Sequence, residues 1–174
     1  MGPRRISALL CVAGALLIAW SVLSTSWWRG RVEARGARAT LGIGLTSLRG
    51  CTHDQAGAWR CESIEWKRVG VTPDSALWVW SGRLMFGVGV AVAIGLGLIA
   101  ILAGVPIEAS LPFSPQRLTL AFIVAALLLV GLYRISTPEV ISRLLESGRS
   151  WLLMLGGLVA GGLGAYRDLN PPSD

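Results

Sequence analysis

Four stretches of the chain, residues 6–26, 84–107, 118–133 and 150–166, carry no charged residue. The hydrocarbon core of a bilayer takes about 20 apolar residues, with a working range of about 17–25. The first two stretches meet that length. The third meets it when Gln116, Arg117 and Arg134 extend their polar ends toward the headgroups. The fourth, SWLLMLGGLVAGGLGAY, is short and rich in glycine. The pattern predicts four spans, at 6–26, 84–105, 117–134 and 150–166. A large polar loop at 27–83, a second polar loop at 135–149 and a tail at 167–174 complete the chain.

Inside the large loop the period changes from helical to two. Ala39-Thr40-Leu41 and Ile43 to Leu48 mix apolar and polar residues around glycines. Gly57 to Glu62 alternates, and Ser63 to Lys67 alternates in the other phase. Period two predicts short half-buried strands. His53-Asp54-Gln55-Ala56-Gly57 is the expected turn between two of them. Thr72-Pro73-Asp74-Ser75 breaks the pattern, and the second long helix is expected to start between Leu77 and Arg83. In the second loop, Ser136-Thr137-Pro138-Glu139 has the residues of a helix start. Val140, Ile141, Leu144 and Leu145 follow at helical spacing, which predicts a short amphipathic helix and no obvious strand.

The spans carry small residues in rows. Gly87, Ala91 and Gly95 recur every four positions, as do Gly89, Ala93 and Gly97, and Gly157 and Gly161 repeat the spacing. Lipid offers no hydrophobic force to draw helices together, so close approach over small residues takes that role. These positions are expected to pack helix on helix, within the chain or between copies. Cys11 lies inside the first span, where a lone cysteine is read as a small packing residue.

Composition agrees with the pattern. The chain has 174 residues, 53% of them hydrophobic, and a mean hydropathy of +0.60. Arg4 and Arg5 precede the first apolar run as in a signal peptide. That run exceeds a secretory core of about 7–15 residues and lacks a small-x-small cleavage site, so it is read as a retained helix. The net charge of +6 is spread over the loops without a run of like charge, which argues against a nucleic-acid footprint.

Two observations bear on sidedness. Trp27, Trp28, Trp78, Trp80, Tyr133 and Trp151 fall at one face of a four-span arrangement, as an interfacial aromatic belt would. Cys51 and Cys61, ten positions apart across a turn, suit a disulfide between adjacent strands, which places that face on the oxidising side. Both termini are then cytoplasmic, and the protein is multi-pass in the cell membrane (the inner membrane, for a bacterial source). The positive-inside count points the other way. Only Arg4, Arg5, Arg117 and Arg167 would lie inside. The cysteine spacing has few other uses and is given the greater weight.

With Trp27 or Trp28, the Cys51–Cys61 pair and Leu48-Arg49-Gly50-Cys51 in place, the large loop resembles that of the claudins and peripheral myelin proteins. That family has four spans and a large first extracellular loop, with a Trp, then Gly-Leu-Trp-x-x-Cys, then a second Cys eight to ten residues on. Trp28, Gly44, Leu45, Leu48 and Arg83 stand for the motif positions. Leu48 replaces the motif Trp, Gly44-Leu45 is displaced upstream, and the tail has no hydrophobic C-terminal tripeptide. The resemblance implies a membrane all-α four-helix bundle carrying a small extracellular antiparallel β-sheet.

The candidate chemistry is sparse. Arg29, Arg31, Arg35 and Arg38 form an early cationic group that could favour anions along a pore or meet a partner. None of the four uncharged runs holds the ionisable groups of a transporter. Cys51 and Cys61 lack the Cys-x-x-Cys spacing of a membrane thiol–disulfide enzyme, and no second pair is present to relay electrons. The only histidine, His53, sits in the turn. We therefore expect a non-catalytic membrane protein without cofactor or metal. Its expected work is adhesion, lateral assembly or support of a membrane partner, with self-association or another membrane protein as partner. A charge-selective pore and a redox enzyme are the alternatives.

Overall fold

The computed structural model describes residues 3–34, 37–53, 58–65, 73–104 and 114–169. Its elements in chain order are α1 (Pro3–Leu23), β1 (Trp28–Ala34), β2 (Ala37–Ile43), β3 (Ser47–His53), β4 (Trp59–Glu65), α2 (Pro73–Gly104), α3 (Pro115–Ile135), α4 (Glu139–Leu144), β5 (Glu146–Ser147) and α5 (Ser150–Leu169). The protein is mostly helical, with one five-stranded antiparallel sheet. Three helical stretches, Arg4–Leu23, Ser75–Ala103 and Pro115–Ile135, are long and apolar enough to cross a membrane. The glycine-rich α5 is not among them.

Several boundaries differ from expectation. Helix α2 begins at Pro73, inside the stretch expected to break the pattern. Proline suits a first helical turn, because its fixed φ fits and its missing N–H would have no intrahelical partner there. Helix α5 continues through Arg167, Asp168 and Leu169, which were expected in a polar tail. In the second loop, α4 forms where expected, with Pro138 at the N-cap position and no side-chain cap. The two-residue strand β5 follows it, in a segment with no strand signature. Strand β1, Trp-Arg-Gly-Arg-Val-Glu-Ala, was likewise not anticipated. The turn residues Asp54–Gly57, together with Trp66, Lys67, Arg35 and residues 105–113 and 170–174, lie outside the described residues.

The chain divides into two compact units. The helical unit comprises Met1–Val22, Gly87–Leu128 and Leu152–Asp174. Its closest seam joins α1 to α5 backbone to backbone. A Cβ on Gly14 would stand 2.7 Å from the Gly161 Cα and 2.8 Å from the Gly157 carbonyl oxygen. One on Gly164 would stand 2.9 Å from the backbone of Ser7 and of Cys11, whose thiol is fully buried. Ser7 Oγ also donates to the Gly164 carbonyl. Helix α2 joins through Gly89, which faces Val22 and Met154, and α3 joins through Thr119 against Gly95. Gln116 Nε2 donates to Asp168 Oδ2 at 2.8 Å, tying the start of α3 to the end of α5. Leu16, Trp20, Ile94, Ile101, Leu128, Val159 and Leu163 point outward and are exposed.

The sheet unit comprises Leu23–Phe86 and Leu129–Trp151. Its strand order is β4-β3-β2-β1-β5. The register sets Gly30 opposite Leu41, Thr40 opposite Cys51, and Cys51 opposite Cys61. Alternation is visible in β1: Trp28 is buried, whereas Arg29, Arg31 and Glu33 are exposed. On that inner face, a Cβ on Gly30 would run into the Leu145 side chain. The core is aromatic. Tyr133, 2% exposed, takes the Trp27 ring edge-on at 5.6 Å and stacks on Trp78 at 5.4 Å. Such pairs add about 0.5–1.5 kcal/mol each beyond their buried area.

Candidate functional site

The sheet unit gathers most of the polar chemistry that the sequence singled out. Cys51 and Cys61 are directly opposed on β3 and β4 and form the disulfide, with their Cα atoms 4.1 Å apart. In the chain-entropy model a link closing so short a loop stabilises by about 2–3 kcal/mol. Beyond it, His53 and Trp59 face each other across the same pair of strands, with ring centroids 4.9 Å apart. Strand β4 is an edge, exposed at every residue except Ile64. Arg60, Glu62 and Glu65 place charges along it, a pattern that discourages uncontrolled edge pairing.

The residues standing for the family motif all fall in this unit. Trp28 is buried in β1, and Leu45 is buried in the turn between β2 and β3. Gly44 opens that turn: its N–H donates to the Ser47 carbonyl at 2.8 Å, and a side chain there would press on the Ser24 carbonyl. Leu48 pairs with Ile43 on one side and Ile64 on the other. The Arg83 guanidinium lies over the Trp80 ring at 5.3 Å.

Arg29, Arg31 and Arg38 share the exposed face of the sheet. Arg38 forms an ion pair with its cross-strand neighbour Glu33 at 3.1 Å, and Arg29 donates to Ser26 Oγ at 2.8 Å. Arg31 is exposed opposite Thr40, and Arg35 lies outside the described residues. Glu33 lies on the same face and pairs with Arg38, so the cations there are interleaved with one acid. Among the described residues, no three His, Cys, Asp or Glu side chains gather as metal ligands.

The expected packing residues divide. Gly157 and Gly161 lie in the α1–α5 seam, and Gly95 meets Thr119. Ala91 is half-buried on α2. Among the described residues, nothing lies within 4 Å of the Cβ position of Gly87. Gly89, from the other row, takes that place. The aromatic belt also needs correction. All six residues assigned to it belong to the sheet unit, but Trp27, Trp28, Trp78 and Tyr133 are buried in its core. Among these six only Trp80 is exposed, at 58%.

Two features had no signal in the sequence. The first is Arg134, whose guanidinium lies over both Trp28, at 5.0 Å, and Trp151, at 5.5 Å. It also donates to Ser147 Oγ at 2.8 Å, which fastens β5 to the end of α3. Close by, the Gly148 N–H donates to the Trp27 carbonyl at 2.9 Å. The second is a crevice of about 580 Å³, lined by Thr46, Ser47, Ser63, Ile64, Glu65, Arg83 and Phe86. Strand register places Ser47 beside Glu65, and so joins the turn after β2 to the far end of β4. The exposed Glu65 and half-buried Arg83 line one crevice, yet neither forms an ion pair among the described residues.

No protein-family model matches the chain, and no curated protein is significantly similar to it.

Proposed function

We propose that the protein is a claudin-like, four-span membrane protein with a non-catalytic role. In this reading the disulfide-linked sheet lies outside the cell membrane and engages a second copy or another membrane protein. The observation that carries the reading is that one sheet is built from both loops. The large loop supplies four strands and the second loop the fifth, with the Cys51–Cys61 link across β3 and β4.

A fourth span through α5 is part of the proposal. Its support is the glycine-lined contact with α1 on one face and exposed Leu152, Val159 and Leu163 on another, the pattern of a helix between protein and lipid. A pore of anion preference remains the alternative: Arg29, Arg31 and Arg38 share one sheet face, with Arg38 paired to Glu33. For the redox alternative, the free thiol Cys11 is buried in the helical unit, whereas the disulfide belongs to the sheet unit.

The test is site-specific photocrosslinking in intact cells from position 60 on the exposed β4 strand, with a membrane-impermeant quencher as a control for sidedness. The reading requires a discrete adduct, to the chain itself or to one membrane protein. That adduct must be lost in the Cys51→Ser/Cys61→Ser double variant. Absence of any adduct from positions 49, 60 and 62, with the disulfide intact, overturns it.

A further inference from the structure

We propose that the crevice between the turn after β2, the end of β4 and α2 holds the headgroup of a phospholipid bearing both a phosphate and a primary amine. The inference rests on the reading of α2 as a membrane span, and goes beyond the partner role proposed for the sheet.

Charge is the first argument. Arg83 and Glu65 line the same space without pairing to each other. A ligand of one sign would satisfy one group and be repelled by the other. A zwitterion with separated charges satisfies both, its phosphate taking the Arg83 guanidinium and its ammonium the Glu65 carboxylate. The hydroxyls of Thr46, Ser47 and Ser63 add donors and acceptors around such a headgroup. The choice of amine follows from the same lining. A quaternary ammonium has no N–H to donate and is bound by aromatic cages, whereas the described lining holds one aromatic ring, Phe86. A primary ammonium donates three hydrogen bonds to carboxylate and hydroxyl oxygens.

Depth along α2 is the second argument. Arg83 is the last charged residue before the uncharged run that begins at Leu84. In a helix crossing a bilayer, an arginine at that point sits at the level of the lipid phosphates, with the apolar part of its stem in the interface. Phe86 lines the crevice within that run, and Leu77, Trp80 and Leu84 are exposed on α2 around Arg83. An acyl chain leaving the crevice therefore meets apolar surface. The volume, about 580 Å³, falls in the range of about 300–1,000 Å³ of small-ligand sites.

The test is lipid titration of the purified full chain by native mass spectrometry. The probes are phosphatidylethanolamine, phosphatidylcholine and phosphatidylglycerol with identical acyl chains. The wild type should bind the ethanolamine lipid about five-fold more tightly than the other two, the scale of one partly exposed ion pair. Glu65→Gln should remove the preference over the choline lipid while phosphate-dependent binding stays. Arg83→Gln should weaken all three, and Arg83→Lys should restore part of the loss. A mass corresponding to the intact Cys51–Cys61 disulfide checks that each variant keeps its sheet. Equal binding of the three lipids by the wild type overturns the proposal, as does a preference that survives Glu65→Gln. So does competition by glycerophosphoethanolamine as effective as that of the intact lipid, because the site would then be one for a soluble phosphate. Alkaline carbonate extraction separates this failure from the larger one. A chain released from membranes refutes the span through α2, whereas a retained chain without lipid preference refutes only the headgroup site.

Discussion

The two units of this chain share close glycine contacts and differ in what fills the rest of their cores. In the helical unit backbones approach closely, with Gly14 against Gly157 and Gly161, and Gly164 against Cys11. The sheet unit has such approaches at Gly42, Gly44 and Gly148 and adds a core of large rings, with Trp27, Trp78 and Tyr133 in one cluster and Trp28 under Arg134. In the proposed reading of the helical unit as membrane-embedded, the solvent accounts for the aromatic core lying in the sheet unit. Lipid tails are as apolar as leucine, so burying a large side chain between spans gains little over leaving it in lipid. What remains is the dispersion and weak C–H···O contact that closely spaced backbones provide. A water-facing sheet gains about 25 cal/mol per Å² of apolar surface buried, and aromatic rings bury the most per residue.

Perturbing either means of association should leave the other unit intact, and the comparison stands or falls on that. The largest effect is expected from Tyr133→Ala, which removes the ring shared by Trp27 and Trp78. It should cost the sheet unit about 3–5 kcal/mol and shift the near-ultraviolet circular dichroism transition. The helical signal should persist beyond that transition; loss of both together would show that the units unfold as one. Next comes Cys51→Ser/Cys61→Ser, expected to lower the same transition by about 2–3 kcal/mol in denaturant melts, with no change for protein already reduced.

On the helical side, Gly157→Leu forces a side chain onto the Gly14 carbonyl and the Ile18 backbone. Such overpacking costs about 1–3 kcal/mol, read as a lower melting temperature of the helical signal in detergent. Gly87→Leu, where nothing lies within 4 Å, is the matched control and should change nothing. If both variants destabilise alike, backbone proximity is not what holds the spans. A smaller loss, about 1–2 kcal/mol, is expected from Arg134→Gln, which removes the two ring contacts and the Ser147 hydrogen bond. Faster amide exchange at Glu146 and Ser147 would show β5 loosening from β1. The smallest belongs to Arg38→Ala. Its exposed pair with Glu33 should contribute no more than about 0.5 kcal/mol, vanishing at high salt.

Much of this was readable from the chain. The uncharged runs marked the three long apolar helices and the α5 segment, because a membrane-compatible helix needs local composition and little else. The glycine rows marked Gly157 and Gly161 as a packing face without naming α1 as its partner, and could not separate Gly89, which meets Val22 and Met154, from Gly87, which meets nothing within 4 Å among the described residues. A four-residue period identifies a face without saying what lies against it. Strand β1 was missed because Arg29, Gly30 and Arg31 have poor strand propensity; they are extended because β2 pairs along their whole length. Strand β5 was missed for a stronger reason. A two-residue strand has no period at all, and only its partner β1 and the Arg134 tether define it.

The sequence by itself determined which segments are apolar enough for a bilayer, where the polar loops fall, and that Cys51 and Cys61 stand a strand-to-strand distance apart. These are properties of composition and short-range spacing, and a few neighbouring residues suffice to establish each. Only the tertiary structure decided that the second loop completes the sheet, that four expected interfacial aromatics form a core, and that Arg83 and Glu65 line one crevice. Each of those joins residues far apart in the chain. Such contacts depend on where whole elements meet, and no local pattern of residues encodes that.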